Sequence, residues 1–152
     1  MKRTNLKNIV ISNSIELHLN MKFEDYEFQL NDWGESDNYC QIDDNTFIFL
    51  ECECTQKHPN TNILKYWPFL EENKDYKVIL FHYFYPENKA PKNRIRLCRF
   101  TASKLEAIFQ ERFQYVYLCE DINQFGNIIL QQKKGLMQKL LTGEIRVNIK
   151  QN

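Results

Sequence analysis

The sequence predicts an α/β fold in which a mixed β-sheet is flanked by helices and followed by a C-terminal helix. Two apolar runs rich in β-branched and aromatic residues, 46–53 and 77–84, are typical of buried strands. Helix-like segments separate the later strands, and such connections imply crossovers with partly parallel pairing. The composition changes after residue 122. We therefore expect an α/β domain over residues 1–122 and a helical tail over residues 123–152.

The first half of the chain supplies a helix and three strands in this prediction. Residues 8–20 are apolar without a clean period, which weakly favours a helix. Residues 22–30 alternate aromatic and acidic residues, as a half-exposed strand does. Residues 37–42 and 46–53 flank the polar turn Asp43–Asn45 and predict a hairpin whose second strand is central and buried.

The second half alternates helices and strands. Asn60 or Thr61 is the expected cap of a helix over 62–70, which Pro68 would kink or end. A second buried strand over 77–84 and a polar loop over 87–94 follow. Thr101 is the expected cap of a helix over 101–109, and a last strand covers 113–118. Residues 128–141 have the composition of an amphipathic helix.

The bulk composition limits the class of protein. A chain of 152 residues that is 43% hydrophobic can bury one core, and twenty basic residues balance twenty acidic ones. Any contact with DNA must therefore come from local patches. Five cysteines and no signal peptide argue against a disulfide framework, so we expect a cytoplasmic protein. No apolar stretch approaches the roughly 20 residues that span a bilayer.

Three carboxylates carry the candidate chemistry. Asp37 opens the first strand of the predicted hairpin, and Glu51 and Glu53 close the second, so antiparallel pairing brings them to one end. Glu51 and Glu53 share a strand face, while Cys52 points to the other. Oxygen ligands suit Mg²⁺, which can activate water against a phosphodiester. Alternatively, the acids are solvated strand ends.

This arrangement resembles the PD-(D/E)xK nuclease family over residues 8–119. The element order, Asp37, and Glu51-Cys52-Glu53 after a hydrophobic strand carry the resemblance. It implies a restriction-endonuclease-like αβββαβ core in which Asp37 and Glu51 bind metal, with Glu53 as a further ligand. Ser36 replaces the Pro of the motif, and Glu53 replaces the Lys that positions the attacking water. Lys57, four residues further on, could supply the missing charge.

Two groups of residues are candidate DNA contacts. Asn62-x-x-x-Tyr66 resembles the Gln-x-x-x-Tyr element of some nucleases of this fold, and Asn62, Lys65 and Tyr66 would share a helical face towards a phosphate backbone. The second group is a concentration of basic residues in and after the predicted loop, whose natural partner is phosphate. Its members are Lys89, Lys92, Arg94, Arg96, Arg99 and Lys104. A solvated loop and core aromatic residues are the alternative interpretations.

The tail resembles a different family. Residues 130–147 are similar to the C-terminal end of type I restriction–modification specificity subunits. The resemblance implies a docking helix whose apolar residues contact modification or restriction subunits; these residues are Leu136, Met137, Leu140 and Leu141. Alternatively, the helix folds back on its own domain. The chain is too short for a full specificity subunit, which leaves a fragment, a fusion or an accessory protein.

Together these features predict a DNA-associated protein of a type I restriction–modification system that acts as a Mg²⁺-dependent nuclease. The alternative is a non-catalytic, specificity-subunit-like module that binds DNA or protein. In that case the acids are structural.

Overall fold

The computed structural model describes residues 2–19, 21–54 and 58–119. Lys57 and the whole predicted tail, with Leu136, Met137, Leu140 and Leu141, lie outside these residues. The described elements are helix α1 (Leu6–Leu19), strands β1 (Phe28–Gln29), β2 (Glu35–Ser36), β3 (Asn38–Gln41) and β4 (Thr46–Glu53), helices α2 (Asn60–Leu64) and α3 (Tyr66–Glu72), strand β5 (Lys77–Phe84), helix α4 (Lys92–Phe109), a 3₁₀ turn (Gln110–Arg112) and strand β6 (Phe113–Leu118).

The main sheet has four strands in the order β3-β4-β5-β6. Strand β3 pairs antiparallel with β4, whereas β4 with β5 and β5 with β6 pair in parallel. The helical connections between the parallel strands are the crossovers that parallel pairing requires. The predicted mixed sheet with flanking helices is therefore confirmed in this coarse form.

Side-chain alternation along β4 separates two core layers. Phe47 and Phe49 pack with residues of α2, α3 and α4 on one face of the sheet. Ile48 and Leu50 pack on the other face with Ile11 of α1. Because successive strand residues alternate between faces, Glu51 and Glu53 continue the face of Phe47 and Phe49. The two carboxylates thus lie on the side of the sheet that faces α2 and α3.

The strand predicted over residues 22–30 is wrong for most of its length. Only Phe28–Gln29 forms a strand, and it pairs with β2 in a separate two-stranded sheet. Phe23 is nevertheless buried, in the core layer beneath α1. The aromatic pattern therefore marked burial at Phe23 but not at Tyr26, which is 43% exposed, and it did not mark a strand of the main sheet.

The single helix predicted over residues 62–70 is two short helices that meet at Lys65. Pro68 lies in the first turn of α3, where its missing N–H removes no helical hydrogen bond. Asn60 and Thr61 lie inside α2 rather than capping it; Thr61 Oγ1 instead donates to the carbonyl of His58 at 2.9 Å. The junction directs Lys65 and Tyr66 towards the sheet.

Helix α4 begins at Lys92, so the loop predicted to reach residue 94 and the cap at Thr101 are both wrong. Its buried face consists of Cys98, Ala102, Leu105 and Phe109, which recur at helical spacing. The charged residues of the first turns concealed this stripe. The predicted basic loop is consequently for the most part a basic helix.

The hairpin strands, the buried strand over 77–84, the last strand over 113–118 and the N-terminal helix are confirmed. All five cysteines are free thiols in this structure. Among the described residues, no helix has the length and apolarity needed to cross a membrane.

Candidate active site

The candidate site lies where β4 ends, at the edge of the sheet next to β3. Glu51 and Glu53 are buried there, with 2% and 0% exposure. A buried carboxylate requires a cation or hydrogen-bond donors to offset its lost hydration. The partners of each carboxylate therefore define the site.

Glu51 is held by two side chains from the α2–α3 junction. Its Oε1 accepts a 2.6 Å hydrogen bond from the Tyr66 hydroxyl and lies 2.8 Å from Lys65 Nζ. Burial raises the pKa of Glu51 to about 7, an effect that Lys65 and Tyr66 oppose and that Asp37 reinforces. Tyr66 OH also lies 3.1 Å from Ser36 Oγ. This carboxyl therefore changes charge near neutral pH.

Lys65 and Tyr66 belong to the site rather than to an outer DNA-binding face. The Lys65 side chain is 10% exposed, and its ammonium also donates to the backbone carbonyl of Glu35. Tyr66 is fully buried, so its predicted contact with a phosphate backbone is wrong. Both residues are brought to Glu51 because the helix breaks between α2 and α3.

Asp37 approaches the same strand end from β3. Its Oδ2 accepts a 2.8 Å hydrogen bond from the backbone N–H of Cys52, between Glu51 and Glu53. Burial raises the pKa of Asp37, and the Cys52 amide followed by the Lys65 charge opposes this effect. The structure thus brings Asp37 beside the two glutamates, as the predicted hairpin requires.

Glu53 faces a buried polar network. Its Oε1 accepts from Asn62 Nδ2 at 2.8 Å and lies 2.8 Å from His82 Nε2, while His82 Nδ1 lies 3.1 Å from the Tyr115 hydroxyl. Burial lowers the pKa of His82 and raises that of Tyr115, so the imidazole is neutral and the phenol keeps its proton. His82 Nδ1 therefore accepts a hydrogen bond from the Tyr115 hydroxyl, and His82 Nε2–H donates one to Glu53. The network fixes the orientation of Glu53.

His82 is a site residue that the sequence analysis left without a role. It lies directly opposite Glu51 in the parallel register of β4 and β5. A histidine within an otherwise apolar run was the available signal, but its partner depends on a strand register that the sequence does not specify. Asn62, in contrast, was singled out and does reach the site.

A cavity of about 550 Å³ opens beside Asp37. Cys52 and Cys54 line it from the sheet, and residues around the start of α1 line the opposite wall. Asp37 therefore connects the buried carboxylates with space that a ligand can enter.

The donor set bears on the expected Mg²⁺. Within residues 2–19, 21–54 and 58–119, no three His, Cys, Asp or Glu side chains lie together as a metal-binding group. Mg²⁺ is commonly held by one or two carboxylates, with water and substrate phosphate completing its shell. Asp37 and Glu51 fit that open type of site. Glu53 Oε2, which is buried and has no hydrogen-bond partner in the described part of the chain, leaves further acceptor capacity.

The predicted basic contacts lie on a different element. Lys92, Arg96 and Arg99 recur at i, i+4 and i+7 on α4 and are exposed, whereas Arg94 falls on the opposite side of the helix and is half-buried. Arg99 also packs over the Tyr117 ring, 5.1 Å from its centroid. The four residues thus divide into an exposed row of three and one separate arginine.

The chain matches no protein-family model, no curated protein and no solved structure. Its function is therefore argued from its own residues and their contacts.

Proposed function

We propose that this protein is a Mg²⁺-dependent nuclease that hydrolyses phosphodiester bonds in DNA. The observation that carries the proposal is the buried contact of 2.8 Å between Lys65 Nζ and Glu51 Oε1, beside Asp37 at the open edge of the sheet. A buried lysine and carboxylate pair is costly to maintain for stability alone. Asp37, beside this pair, lines the cavity and has a pKa raised by burial, and perturbed ionisable groups in a cavity are typical of active sites.

Asp37 and Glu51 would hold the metal. A Mg²⁺ ion bound there would supply charge neutralisation for the scissile phosphate and would activate water. Tyr66 orients Glu51 through its 2.6 Å hydrogen bond. Because this donor comes from a fully buried ring, the carboxylate is held in one position before substrate binds.

Lys65 would take the role of the motif lysine whose place in the sequence is occupied by Glu53. Its ammonium lies within hydrogen-bonding distance of Glu51, so it can bind the attacking water beside the carboxylate and stabilise developing negative charge. In this proposal Lys65, rather than Lys57, is the catalytic lysine. Glu53, held by His82 and Asn62, is a positioning residue.

The cellular context of this proposal is a type I restriction–modification system in the cytoplasm. Its support is the sequence resemblance of residues 130–147 to the end of specificity subunits. We propose that the tail contacts modification or restriction subunits through Leu136, Met137, Leu140 and Leu141. The nuclease proposal does not depend on this context.

A non-catalytic DNA-binding or interaction module is the second candidate. The engagement of Glu51 and Glu53 by internal partners favours it, because such contacts can also serve folding alone. Under this hypothesis the protein binds DNA in a salt-dependent manner without a divalent-ion requirement and without cleavage.

The test combines a metal series with single substitutions. Supercoiled plasmid, linear duplex and single-stranded DNA are incubated with Mg²⁺, Mn²⁺ or EDTA. We expect cleavage with the metals and none in EDTA. Glu51→Gln and Lys65→Met should each lower the rate by about 10²-fold or more, since each removes a charged group at the reacting phosphate.

Two control substitutions sharpen this result. Glu71→Gln removes an exposed carboxylate on α3, and Lys57→Met removes the lysine that the motif alone suggests. Both should retain the wild-type rate within about twofold. Equal cleavage by the wild type and Glu51→Gln would refute the site, and loss of activity in Lys57→Met but not Lys65→Met would transfer the catalytic lysine to position 57.

A further inference from the structure

Hydrogen bonds fix residues 2–4 beside the candidate active site. The Thr4 amide donates to the carbonyl of Asp25 at 3.0 Å, and the Glu27 amide donates to that of Lys2 at 2.9 Å. Thr4 Oγ1 donates to Asn38 Oδ1 at 3.1 Å in a buried hydrogen bond. Because Asn38 follows Asp37 directly, this bond ties the segment to the candidate active site.

The segment carries two basic residues into the cavity at Asp37. Lys2 and Arg3 line its wall together with Asn5, Leu6 and Asn8. Lys2 forms an ion pair with Glu27 at 2.9 Å, so these two charges largely cancel. Arg3 forms no ion pair with the described residues. Its guanidinium is the cation that remains for a ligand.

The start of α1 adds a second source of positive potential. Asn5 Oδ1 accepts from the Lys7 amide at 2.9 Å, which identifies Asn5 as the N-cap residue before α1. The 14-residue helix therefore points its positive end at the cavity. Asn8, in the first turn, is only 6% exposed, and its Oδ1 has no hydrogen-bond partner among the described residues. This oxygen is a hydrogen-bond acceptor, so it can accept from an amino group of a base but cannot donate to a phosphate oxygen.

We propose that this cavity binds a backbone phosphate of the DNA, next to the phosphodiester that would react at Asp37 and Glu51. A guanidinium matches two oxygens of one phosphate, and a helix N-terminus favours the same anion. The cavity volume of about 550 Å³ accommodates a nucleotide backbone segment. The inference rests on the proposed function for the position of the reacting phosphate. It adds Arg3 as the residue that fixes the register of the strand.

The experiment measures binding without cleavage. Fluorescein-labelled duplex and single-stranded oligonucleotides are titrated with the full chain in EDTA and in Ca²⁺ over a range of salt concentrations. Arg3→Gln should raise the Kd about tenfold and lower the slope of log K against log salt by about 0.9, the value for one lost phosphate contact on duplex DNA. The unfolding temperature of the variant shows that the fold is retained.

Lys74→Gln is the matched control. It removes one exposed positive charge from the turn before β5, at the end of the sheet opposite Glu53. Its Kd should stay within about twofold of the wild type. An Arg3→Gln variant with the same Kd and salt slope as Lys74→Gln overturns the inference.

Binding and cleavage separate the two proposals. If the wild type cuts DNA and Arg3→Gln binds DNA with an unchanged Kd, the phosphate site is refuted and the nuclease proposal stands. A wild type that cuts nothing but loses DNA affinity with Arg3→Gln removes the nuclease and supports the phosphate site. A chain that binds no DNA in any condition overturns both.

Discussion

Glu51 illustrates how one side chain joins stability to function at this site. It is 2% exposed, its pKa is raised to about 7 chiefly by burial, and a lysine and a tyrosine hold the same oxygen. The folded chain therefore favours the protonated carboxyl more than the unfolded chain does. The Glu51 carboxyl must be ionised to bind a metal, but its burial in the folded chain favours the protonated form.

This coupling predicts a specific pH dependence of stability. Because the folded pKa of about 7 exceeds the unfolded value of 4.5, the stabilising contribution of Glu51 is complete below pH 4.5 and is lost as pH rises through 7. The loss amounts to about 3 kcal/mol, from 1.36 kcal/mol per pKa unit. Glu51→Gln/Lys65→Met removes both charges, so its free energy of unfolding relative to wild type should rise by that amount from pH 4.5 to 8.

Urea denaturation in EDTA measures the effect. The single variant Glu71→Gln is the control, because Glu71 is exposed on α3, and its curve should run parallel to that of the wild type. If the double variant also runs parallel to the wild type, Glu51 does not titrate between the folded and unfolded states as proposed.

At the residue scale, sequence reasoning reached some of the site and missed some. Asp37, Glu51 and Glu53 were identified because hairpin pairing follows from local patterns. Asn62, Lys65 and Tyr66 were identified through a motif, although their orientation was wrong for Tyr66. His82 was missed because its partner Glu53 lies 29 residues away in a strand register that no local pattern fixes. Arg3 was missed because the cavity that it lines forms only through packing of distant segments.

At the element scale, the break between α2 and α3 is decisive for the site. A continuous helix would keep Lys65 on one face with Asn62, as the periodicity predicts. The junction at Lys65 instead lets both Lys65 and Tyr66 reach Glu51. The position of Pro68 signalled some interruption, but the sequence placed it after these residues rather than between them.

Helix α4 shows why charge patterns mislead about element boundaries. Its first turns are rich in Lys and Arg, so its apolar stripe became evident only from residue 101 onwards. Packing of Cys98 and Ala102 against the core extends the helix to Lys92. The consequence for function is that three of the predicted DNA contacts are arranged in a row along a rigid element.

The α4 row leads to a charge-counting prediction. If Lys92, Arg96 and Arg99 each contact a phosphate, replacing all three with Gln should lower the salt slope of duplex binding by about 2.7. Arg94→Gln, on the other side of the helix, should change the slope by much less than one contact. Arg99 also packs over Tyr117, so the triple variant should lose about 0.5–1 kcal/mol of stability, which thermal unfolding measures.

A triple variant with the wild-type slope would exclude this face of α4 from the DNA interface. Because the α4 row and the cavity at Arg3 lie on different parts of the chain, the effects of their substitutions on the salt slope of DNA binding should add. If a variant that combines Arg3→Gln with the three α4 substitutions lowers the salt slope no more than Arg3→Gln alone, the α4 row does not contact DNA.

At the scale of the whole molecule, the sheet is covered on both sides by described helices. One core layer joins β4, β5 and β6 to α2, α3 and α4, and the other joins the same strands to α1. The sequence predicted this layering because buried strands separated by amphipathic helices admit few topologies. It could not predict that the segment before α1 would close one wall of the site.

The layering predicts the outcome of removing the tail. Among the described residues, both core layers are built within residues 11–118, and the buried strands pack between helices. A chain truncated after residue 122 should therefore fold cooperatively, with an unfolding temperature within about 5 °C of the full chain, the shift expected for about 1 kcal/mol. It should keep its DNA affinity and lose any binding to type I modification subunits. Calorimetry and binding to a purified modification complex measure the two properties. A truncated chain that fails to fold would instead show that Leu136, Met137, Leu140 and Leu141 complete the core of their own domain, which removes the docking role proposed for the tail.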